Sequence, residues 1–302
     1  MTKYVINSCP TDQLIQFQGH TIRHPRFNKV IDAISLAHRR RRGLIIIGES
    51  GAGKSTILKY YEKKMYVEPT DTHDYKKVVR IKIPPSPTLK NVTTLLLQVL
   101  GDEAPGKGTQ NDMDLRVARK ITTLGVEMIM IDEFQDLLYS DSAKRMRTVG
   151  NYVKHLIDSF NVSVILAGLE NARTVLKGHA ELKRRFMATS ELKAFSVREP
   201  SEFSYFQKYL GLVQKQISID TVSLDSESMV WRMFVATNGL PGNIASIVET
   251  AIDSAGAEQK LKITDFIDAY DSVVDDPTSR RFNPFSRSAA DVKKKALKGE
   301  GK

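Results

Sequence analysis

The spacing of apolar residues predicts alternating strands and helices in the first two thirds of the chain. Short continuous apolar runs, typical of strands buried on both faces, occupy 44–47, 78–83, 127–131 and 162–167. A fifth strand is predicted near 187–194. Helical spacing begins at Pro25 and returns between the strands at 57–65, 89–100, 115–124 and 146–160. This alternation predicts an α/β fold with a doubly wound parallel sheet flanked by helices.

The pattern changes after about residue 196, where apolar residues keep only the helical period. Amphipathic helices are predicted at 202–217, 226–236, 243–255 and 264–270. The change divides the chain into four expected parts. They are an N-terminal extension (1–24), an α/β core (25–196), a small helical domain (197–275) and a tail (276–302).

The composition is that of a globular protein that works in a reducing compartment. The chain has 302 residues, of which 41% are hydrophobic and 26% charged. No apolar run approaches the ~20 residues of a membrane span, and the N-terminus lacks a signal-peptide pattern. Cys9 is the single cysteine, which excludes an intramolecular disulfide and a thiolate zinc site. We therefore expect a cytoplasmic protein with no membrane partner.

The net charge of +10 is concentrated at the C-terminus. Residues 280–302 hold eight Lys and Arg against two acids, and thus +6 of that charge. The segment has few apolar residues beyond Phe282, Phe285 and Leu297. Too little apolar surface is available to offset the entropy of ordering, so a flexible basic tail is predicted. Such a tail contacts phosphates, docks a partner or only aids solubility.

One segment matches the phosphate-binding pattern G-x-x-x-x-G-K-[ST]. It follows a predicted buried strand and opens a predicted helix, which is the setting this loop requires. The glycines let backbone N–H groups turn toward phosphate oxygens, Lys54 adds a positive charge, and the Ser55 hydroxyl coordinates Mg²⁺. The candidate nucleotide-binding residues are Gly48, Glu49, Ser50, Gly51, Ala52, Gly53, Lys54, Ser55 and Thr56.

Two acids, Asp132 and Glu133, follow the apolar run 127–131. A buried parallel strand that ends in acids places them at the carboxyl edge of the sheet, beside the phosphate loop. Asp132 suits the Mg²⁺ coordination shell, and Glu133 suits activation of the attacking water. Together with the loop, the acids predict ATP hydrolysis with Mg²⁺ as cofactor.

A basic cluster ends the helix before the fifth predicted strand, at Arg184 and Arg185 followed by Phe186. An arginine at this position could reach the γ-phosphate held by a neighbouring subunit and stabilise the transition state. Basic residues also favour helix C-termini for purely local reasons. Both interpretations stay open on the sequence.

Together these motifs resemble the AAA+ ATPases, with a core and a helical lid. More narrowly, the chain resembles the TniB/TnsC transposition regulators, at 23–27, 48–56, 125–137 and 165–168. The resemblance implies an ATP-dependent regulator that oligomerises on target DNA, as a ring or a filament. It also implies selection of the insertion site, recruitment of a DDE transposase and a TniQ-type partner.

The resemblance also assigns roles to single residues. Lys54 and Ser55 match the phosphate- and Mg²⁺-binding positions, and Asp132 and Glu133 match the Walker B acids. Arg185 matches the arginine finger better than Arg184 does.

Two positions depart from the AAA+ pattern. Gly168 stands where a polar sensor such as Asn or Thr is usual. The lid segment 239–243, GLPGN, lacks the arginine of the second sensor. Both departures predict slow hydrolysis that times disassembly rather than driving a motor.

Candidate DNA contacts are cationic residues in the loops and helices after the second strand. A sequence-tolerant DNA-binding protein needs phosphate contacts and no base-reading code. The candidates are Lys90, Lys107, Arg119 and Lys120.

Two rival functions share parts of this pattern. A helicase-loader or IstB-like AAA+ ATPase uses the same chemistry for a different client. A protein-remodelling ATPase switch acts through protein contacts alone. ATP-dependent, salt-sensitive binding of duplex DNA separates the last class from the other two.

Overall fold

The computed structural model describes residues 21–70, 74–138, 143–177, 179–256, 260–274 and 282–299. These residues form two compact units, one from Pro25 to Lys193 and one from Ala194 onward together with residues 21–24. Most of the expected N-terminal extension lies outside the described residues. The boundary between the two units lies three residues before the boundary that the sequence predicts.

The first unit alternates strands and helices, as the apolar pattern predicts. Its strands are β1 (Gly43–Gly48), β2 (Val78–Lys82), β3 (Met128–Asp132), β4 (Ser163–Gly168) and β5 (Phe186–Leu192). Its helices are α1 (Pro25–Arg39), α2 (Lys54–Lys64), α3 (Leu89–Val99), α4 (Gln110–Leu124), α5 (Ala143–Phe160) and α6 (Ala180–Arg185). Two 3₁₀ segments, Phe134–Leu138 and Glu170–Leu176, follow β3 and β4.

The five strands form one parallel sheet in the order β2-β3-β4-β1-β5. All residues of β3 and β4 are buried, as expected for strands covered by helices on both faces. Because the strands are parallel, the ends of β1, β3 and β4 meet at one edge of the sheet. The predicted α/β fold is therefore confirmed, and this edge brings the phosphate loop and the two acids together.

The second unit is helical, apart from a short two-stranded ladder. Its elements are α7 (Pro200–Gln214), β6 (Asp220–Thr221), α8 (Glu227–Thr237), α9 (Pro241–Ala255), β7 (Lys260–Leu261), α10 (Ile263–Val273) and α11 (Ala289–Gly299). Fully buried Phe206 and Phe266 contribute to its own apolar core. No helix in the described part of the chain is long and apolar enough to cross a membrane.

The prediction of a flexible tail is wrong for residues 282–299. Phe285, Val292 and Ala296 are buried in the core of the second unit, and α11 packs on α8. Val292 and Ala296 are four residues apart, so they share one face of α11 and leave its lysines exposed. Residues 276–281 and 300–302 lie outside the described residues, and so does their part of the prediction.

Hydrogen bonds add to the few apolar contacts that hold residues 282–299 in the second unit. The half-buried Arg232 guanidinium donates to the backbone carbonyls of Pro284, Phe285 and Arg287. The Asn283 amide donates to the Ile267 carbonyl at 2.9 Å. These bonds satisfy turn carbonyls that would otherwise oppose burial of Phe285.

Candidate active site

The loop between β1 and α2 has the backbone conformation of a phosphate cradle. Gly51 and Gly53 have φ values of 79° and 94°, in the left-handed region that favours glycine. A Cβ atom on Gly48 would lie 2.6 Å from the Leu192 carbonyl oxygen, so glycine is also required by space there. Helix α2 begins at Lys54. Its first N–H groups and the positive end of its dipole therefore lie at the loop, as anion binding requires.

The other predicted loop residues differ in exposure. Glu49 and Ser50 are exposed at the tip of the loop, and Ala52 is buried beneath it. Ser55 is half-buried in the first turn of α2, and Thr56 is exposed beside it. The Ser55 hydroxyl is therefore carried by the residue that directly follows Lys54.

Lys54 is a buried cation at the centre of the site, with 6% of its surface exposed. Its Nζ donates to the carbonyl oxygens of Gly48 and Glu49, both at 2.8 Å. Burial lowers the pKa of Lys54, and the nearby carboxylates of Glu133 and Asp132 oppose this effect. The ammonium group is therefore partly desolvated and held toward both the loop and the acids.

Asp132 ends β3 as a fully buried carboxylate. Its Oδ1 accepts a hydrogen bond from the Glu133 backbone N–H at 3.0 Å. Its Oδ2 is buried and has no hydrogen-bond partner among the described residues. A buried carboxylate oxygen without a partner is costly unless a cation or water binds it.

Glu133 lies just past the strand in a backbone conformation that is unusual for a residue other than glycine. Its φ is 54°, and its carbonyl accepts from the Asp136 N–H at 3.0 Å as the 3₁₀ segment begins. Fully buried Phe134 anchors that segment in the core. Left-handed backbone costs about 1 kcal/mol or more at such a residue and is concentrated at functional sites.

The residues present fit a nucleotide with Mg²⁺. The unpartnered Asp132 Oδ2 and the Ser55 hydroxyl are oxygen ligands of the kind that Mg²⁺ prefers, and the phosphates would complete its shell. No group of three or more His, Cys, Asp and Glu residues that could bind a metal by itself occurs in the described chain. A metal at this edge would therefore be shared between the protein and the phosphates.

Arg185 lies at the end of α6, where the sequence predicts a candidate finger. Its guanidinium forms a two-pronged ion pair with Asp158 and donates to the Glu181 carbonyl at 2.8 Å. The hydrogen bonds that Arg185 donates to Asp158 raise the pKa of Arg185. The neighbouring Arg184 side chain is exposed and has no ion pair with a described residue.

Two of the candidate DNA contacts, Lys90 and Lys120, bond to the loop of residues 101–109 between α3 and α4. Lys90 Nζ donates to the Gly108 carbonyl at 3.2 Å, and Lys120 Nζ donates to the Gly101 carbonyl at 2.9 Å. Both amino groups thus help to hold the loop. Lys107 and Arg119 are exposed.

The two unusual positions for AAA+ proteins have different surroundings. Gly168 ends β4, between the strands that carry the loop and the acids. The side chain of Gln135 lies across the end of β4, and the sequence motifs assign no role to this residue. In the helical unit, Gly239 has a φ of 67°, and the Asn243 amide donates to the Thr237 carbonyl at 3.3 Å.

One family model matches this chain. The family model described as "Bacterial TniB protein" matches residues 6–196, which is more than half of the chain. No curated protein matches the chain.

Solved structures share the fold at low identity. The ADPNP–ADP complexes of the Aeropyrum pernix ORC2 protein have a TM-score of 0.63 at 15% identity, covering 86% of this chain and 72% of that chain. The Aeropyrum pernix ORC1 protein in complex with DNA has a TM-score of 0.63 at 11% identity, covering 84% and 66%. Drosophila ORC bound to DNA has a TM-score of 0.53 at 13% identity, covering 93% and 72%.

Proposed function

The chain belongs to the TniB family, and from this premise we propose that it is an AAA+ ATPase that assembles on duplex DNA and regulates transposition. In this function it selects the insertion site and recruits a DDE transposase, together with a TniQ-type partner. The protein acts in the cytoplasm as a homo-oligomer, either a ring or a filament. ATP binding favours assembly, and slow hydrolysis favours release.

The observation that carries the proposal is the convergence of one cation and two acids at one edge of the sheet. The loop N–H groups and Lys54 bind the phosphates of ATP. Glu133 orients a water for in-line attack on the γ-phosphorus and accepts its proton. Asp132 and Ser55 hold Mg²⁺, which when bound neutralises charge on the phosphate oxygens. The ORC2 relative was solved as ADPNP–ADP complexes, which supports a nucleotide ligand here.

Two side chains that are missing from the site are the reason to propose slow hydrolysis. Gly168 provides no side chain at the end of β4, and the segment 239–243 has no arginine. With fewer groups to stabilise charge in the transition state, each assembled complex persists longer before its ATP is cleaved.

The charge of the chain supports DNA as the partner. The net charge is +10, and Lys90 and Lys120 donate to the loop 101–109, which itself contains Lys107. Two of the similar solved structures, ORC1 of Aeropyrum pernix and Drosophila ORC, were determined with DNA. Phosphate contacts of this kind give affinity without sequence preference.

Lys107→Ala and Arg119→Ala are expected to weaken ATP-dependent duplex binding and to make it less salt-sensitive. Both side chains are exposed and hold no loop carbonyl in place, so each variant removes a phosphate contact and little structure. Each lost contact should reduce the slope of log affinity against log salt by about 0.9. Fluorescence anisotropy of a labelled duplex with a non-hydrolysable ATP analogue, from low to moderate salt, measures the slope.

Lys208→Ala is the matched control, because Lys208 is an exposed lysine on α7. Its slope should equal that of the wild type. Unchanged slopes for Lys107→Ala and Arg119→Ala would remove this loop from the DNA interface. Absence of duplex binding by the wild-type protein under all these conditions would favour the protein-remodelling switch instead.

Arg185→Ala is expected to leave ATP affinity intact while lowering hydrolysis by up to ~10³. The ion pair with Asp158 orients the guanidinium, so a neighbouring subunit's γ-phosphate meets a fixed donor. Mixing Arg185→Ala protein with Lys54→Ala protein should restore part of the activity, because each variant damages a different side of a shared interface. Steady-state phosphate release across mixing ratios is the measurement.

Arg184→Ala is the control for this experiment, since it removes an adjacent cation that lacks the Asp158 pair. It should retain most of the activity. Normal hydrolysis by Arg185→Ala with a loss in Arg184→Ala would assign the finger to Arg184. Recovery in no mixture of either variant would argue against a site completed by a second subunit.

A further inference from the structure

The side chain of Gln135 links the acid Glu133 to the end of β4. Its Nε2 donates to Glu133 Oε2 at 2.8 Å. Its Oε1 accepts from the Leu169 backbone N–H at 3.1 Å. Both ends of the carboxamide are therefore hydrogen-bonded. One bonds to the acid that follows β3, and the other bonds to the residue that follows β4, the strand between β3 and β1.

Gly168 makes room for this link. A Cβ atom at Gly168 would lie 2.6 Å from Gln135 Oε1, closer than any normal contact, and 3.2 Å from Ala172 Cβ. Gly168 is not among the residues of positive φ, so its backbone does not require glycine. Space for the Gln135 carboxamide is thus the reason the structure offers for glycine at this position.

We propose that Gln135 is a positioning residue for ATP hydrolysis, which holds the Glu133 carboxylate in its working orientation from the end of β4. It does so from the 3₁₀ segment, across the space that Gly168 leaves at the end of β4. The inference rests on the proposed ATPase function. It adds a residue that acts through Glu133 and contacts no phosphate.

The geometry explains why a glutamine suits this task. A hydrogen bond from Nε2 fixes one carboxylate oxygen and the plane of the group, while no described residue hydrogen-bonds the other oxygen, Oε1. Oε1 is then free to accept a proton from water. The Leu169 N–H holds the carboxamide in turn. Glu133 therefore cannot rotate without breaking its bond to Gln135, and the carboxamide cannot follow it without breaking the bond to the backbone.

The charges around Glu133 make such a restraint necessary. Lys54 on α2 attracts the carboxylate, whereas Asp136 in the 3₁₀ segment repels it. Without the bond to Gln135, electrostatic attraction would draw the Glu133 carboxylate toward the Lys54 ammonium. An acid paired with Lys54 would be lost to the attacking water.

Gln135→Ala and Gln135→Glu test the proposal by separating the two ends of the link. Alanine removes both bonds, whereas glutamate keeps an acceptor for the Leu169 N–H and replaces the donor to Glu133 by an oxygen. Both variants should lower kcat by about 10-fold or more, a part of the ~10²–10⁴ that a positioned base contributes, with little change in KM. Asn171→Ala, which removes an exposed carboxamide near the same edge, should leave both constants unchanged.

Two further measurements distinguish positioning from a structural role. In a Glu133→Gln background, Gln135→Ala should cause no further loss of the residual kcat, because the group it positions is already disabled. Exchange of the Leu169 amide hydrogen should accelerate in Gln135→Ala and stay protected in Gln135→Glu. Gly168→Ala should reduce kcat as Gln135→Ala does, and the double variant should be no worse than either single one.

The outcomes separate this inference from the proposed function. Wild-type kcat in Gln135→Ala and Gln135→Glu, with ATP hydrolysis by the wild type established, would overturn the role of Gln135 and leave the ATPase intact. A further drop in kcat in the Glu133→Gln background would show that Gln135 acts elsewhere. Failure of the wild-type protein to hydrolyse ATP, with or without duplex DNA, would overturn both.

Discussion

Lys54→Ala is expected to abolish nucleotide binding and, with it, ATP-dependent association with DNA. The Lys54 ammonium is buried, already partly desolvated and hydrogen-bonded to the loop carbonyls of Gly48 and Glu49. It therefore loses little solvation when phosphate oxygens replace those carbonyls. Charge-assisted hydrogen bonds are worth about 1.5–3 kcal/mol each. Loss of two such bonds should weaken ATP binding by ~10² or more.

Titration of a fluorescent ATP analogue measures this effect, and duplex binding is followed in the same samples. Lys59→Ala, which removes an exposed lysine from the same helix α2, is the matched control and should bind both ligands normally. A melting temperature near that of the wild type confirms that Lys54→Ala is folded. Normal ATP affinity in the folded Lys54→Ala variant would refute the assignment of the phosphate loop.

Glu133→Gln is expected to retain ATP while hydrolysis nearly stops. The amide keeps the shape of the side chain and leaves Asp132 and Ser55 to hold Mg²⁺, but it cannot accept the proton of the attacking water. The loss in kcat should be about 10²–10⁴, the share of a general base. Because ATP then persists, assemblies on duplex DNA should outlast those of the wild-type protein.

Dissociation after dilution into competitor DNA gives the lifetime of the assemblies, and phosphate release gives kcat. Glu170→Gln, which neutralises an exposed acid in the 3₁₀ segment after β4, is the control and should behave as the wild type does. Glu133→Gln assemblies that dissociate at the wild-type rate would show that hydrolysis does not time release. That result would leave ATP binding, rather than cleavage, as the controlling step.

The sequence predicts the α/β core well because its signals are local and redundant. Four short, mostly apolar runs become β1 to β4 with small shifts at their ends, and the fifth strand begins one residue before its predicted start. Short sequence motifs at the ends of strands identify the phosphate loop and the two acids. Parallel strands then bring those motifs to one edge without further information.

The C-terminal segment makes contacts that patterns within a short stretch of sequence do not predict. Its charge pattern predicts a flexible tail, yet Val292 and Ala296 form a narrow stripe on α11 that is buried in the helical unit. Three bonds from Arg232 complete the docking of the preceding turn. Arg232 lies about fifty residues earlier in the sequence, so neither charge nor periodicity within the segment could reveal this contact.

Gln135 was missed for a similar reason. Its two partners, Glu133 and the Leu169 N–H, belong to different strand ends, and only the sheet order makes them neighbours. The available signal was a carboxamide directly after the acids combined with glycine at 168. In the same way, the resemblance favours Arg185 over Arg184 by position alone, and the contact with Asp158 adds a physical difference between them.

The most direct test of the account is electron microscopy of the wild-type protein with duplex DNA and a non-hydrolysable ATP analogue. We expect regular oligomers that surround or follow the duplex, with nucleotide at Lys54 and Asp132 and with a second subunit completing the site. Lys54→Ala protein under the same conditions should form none. Isolated subunits with bound nucleotide and bare DNA would contradict the central claim that ATP binding drives assembly on DNA.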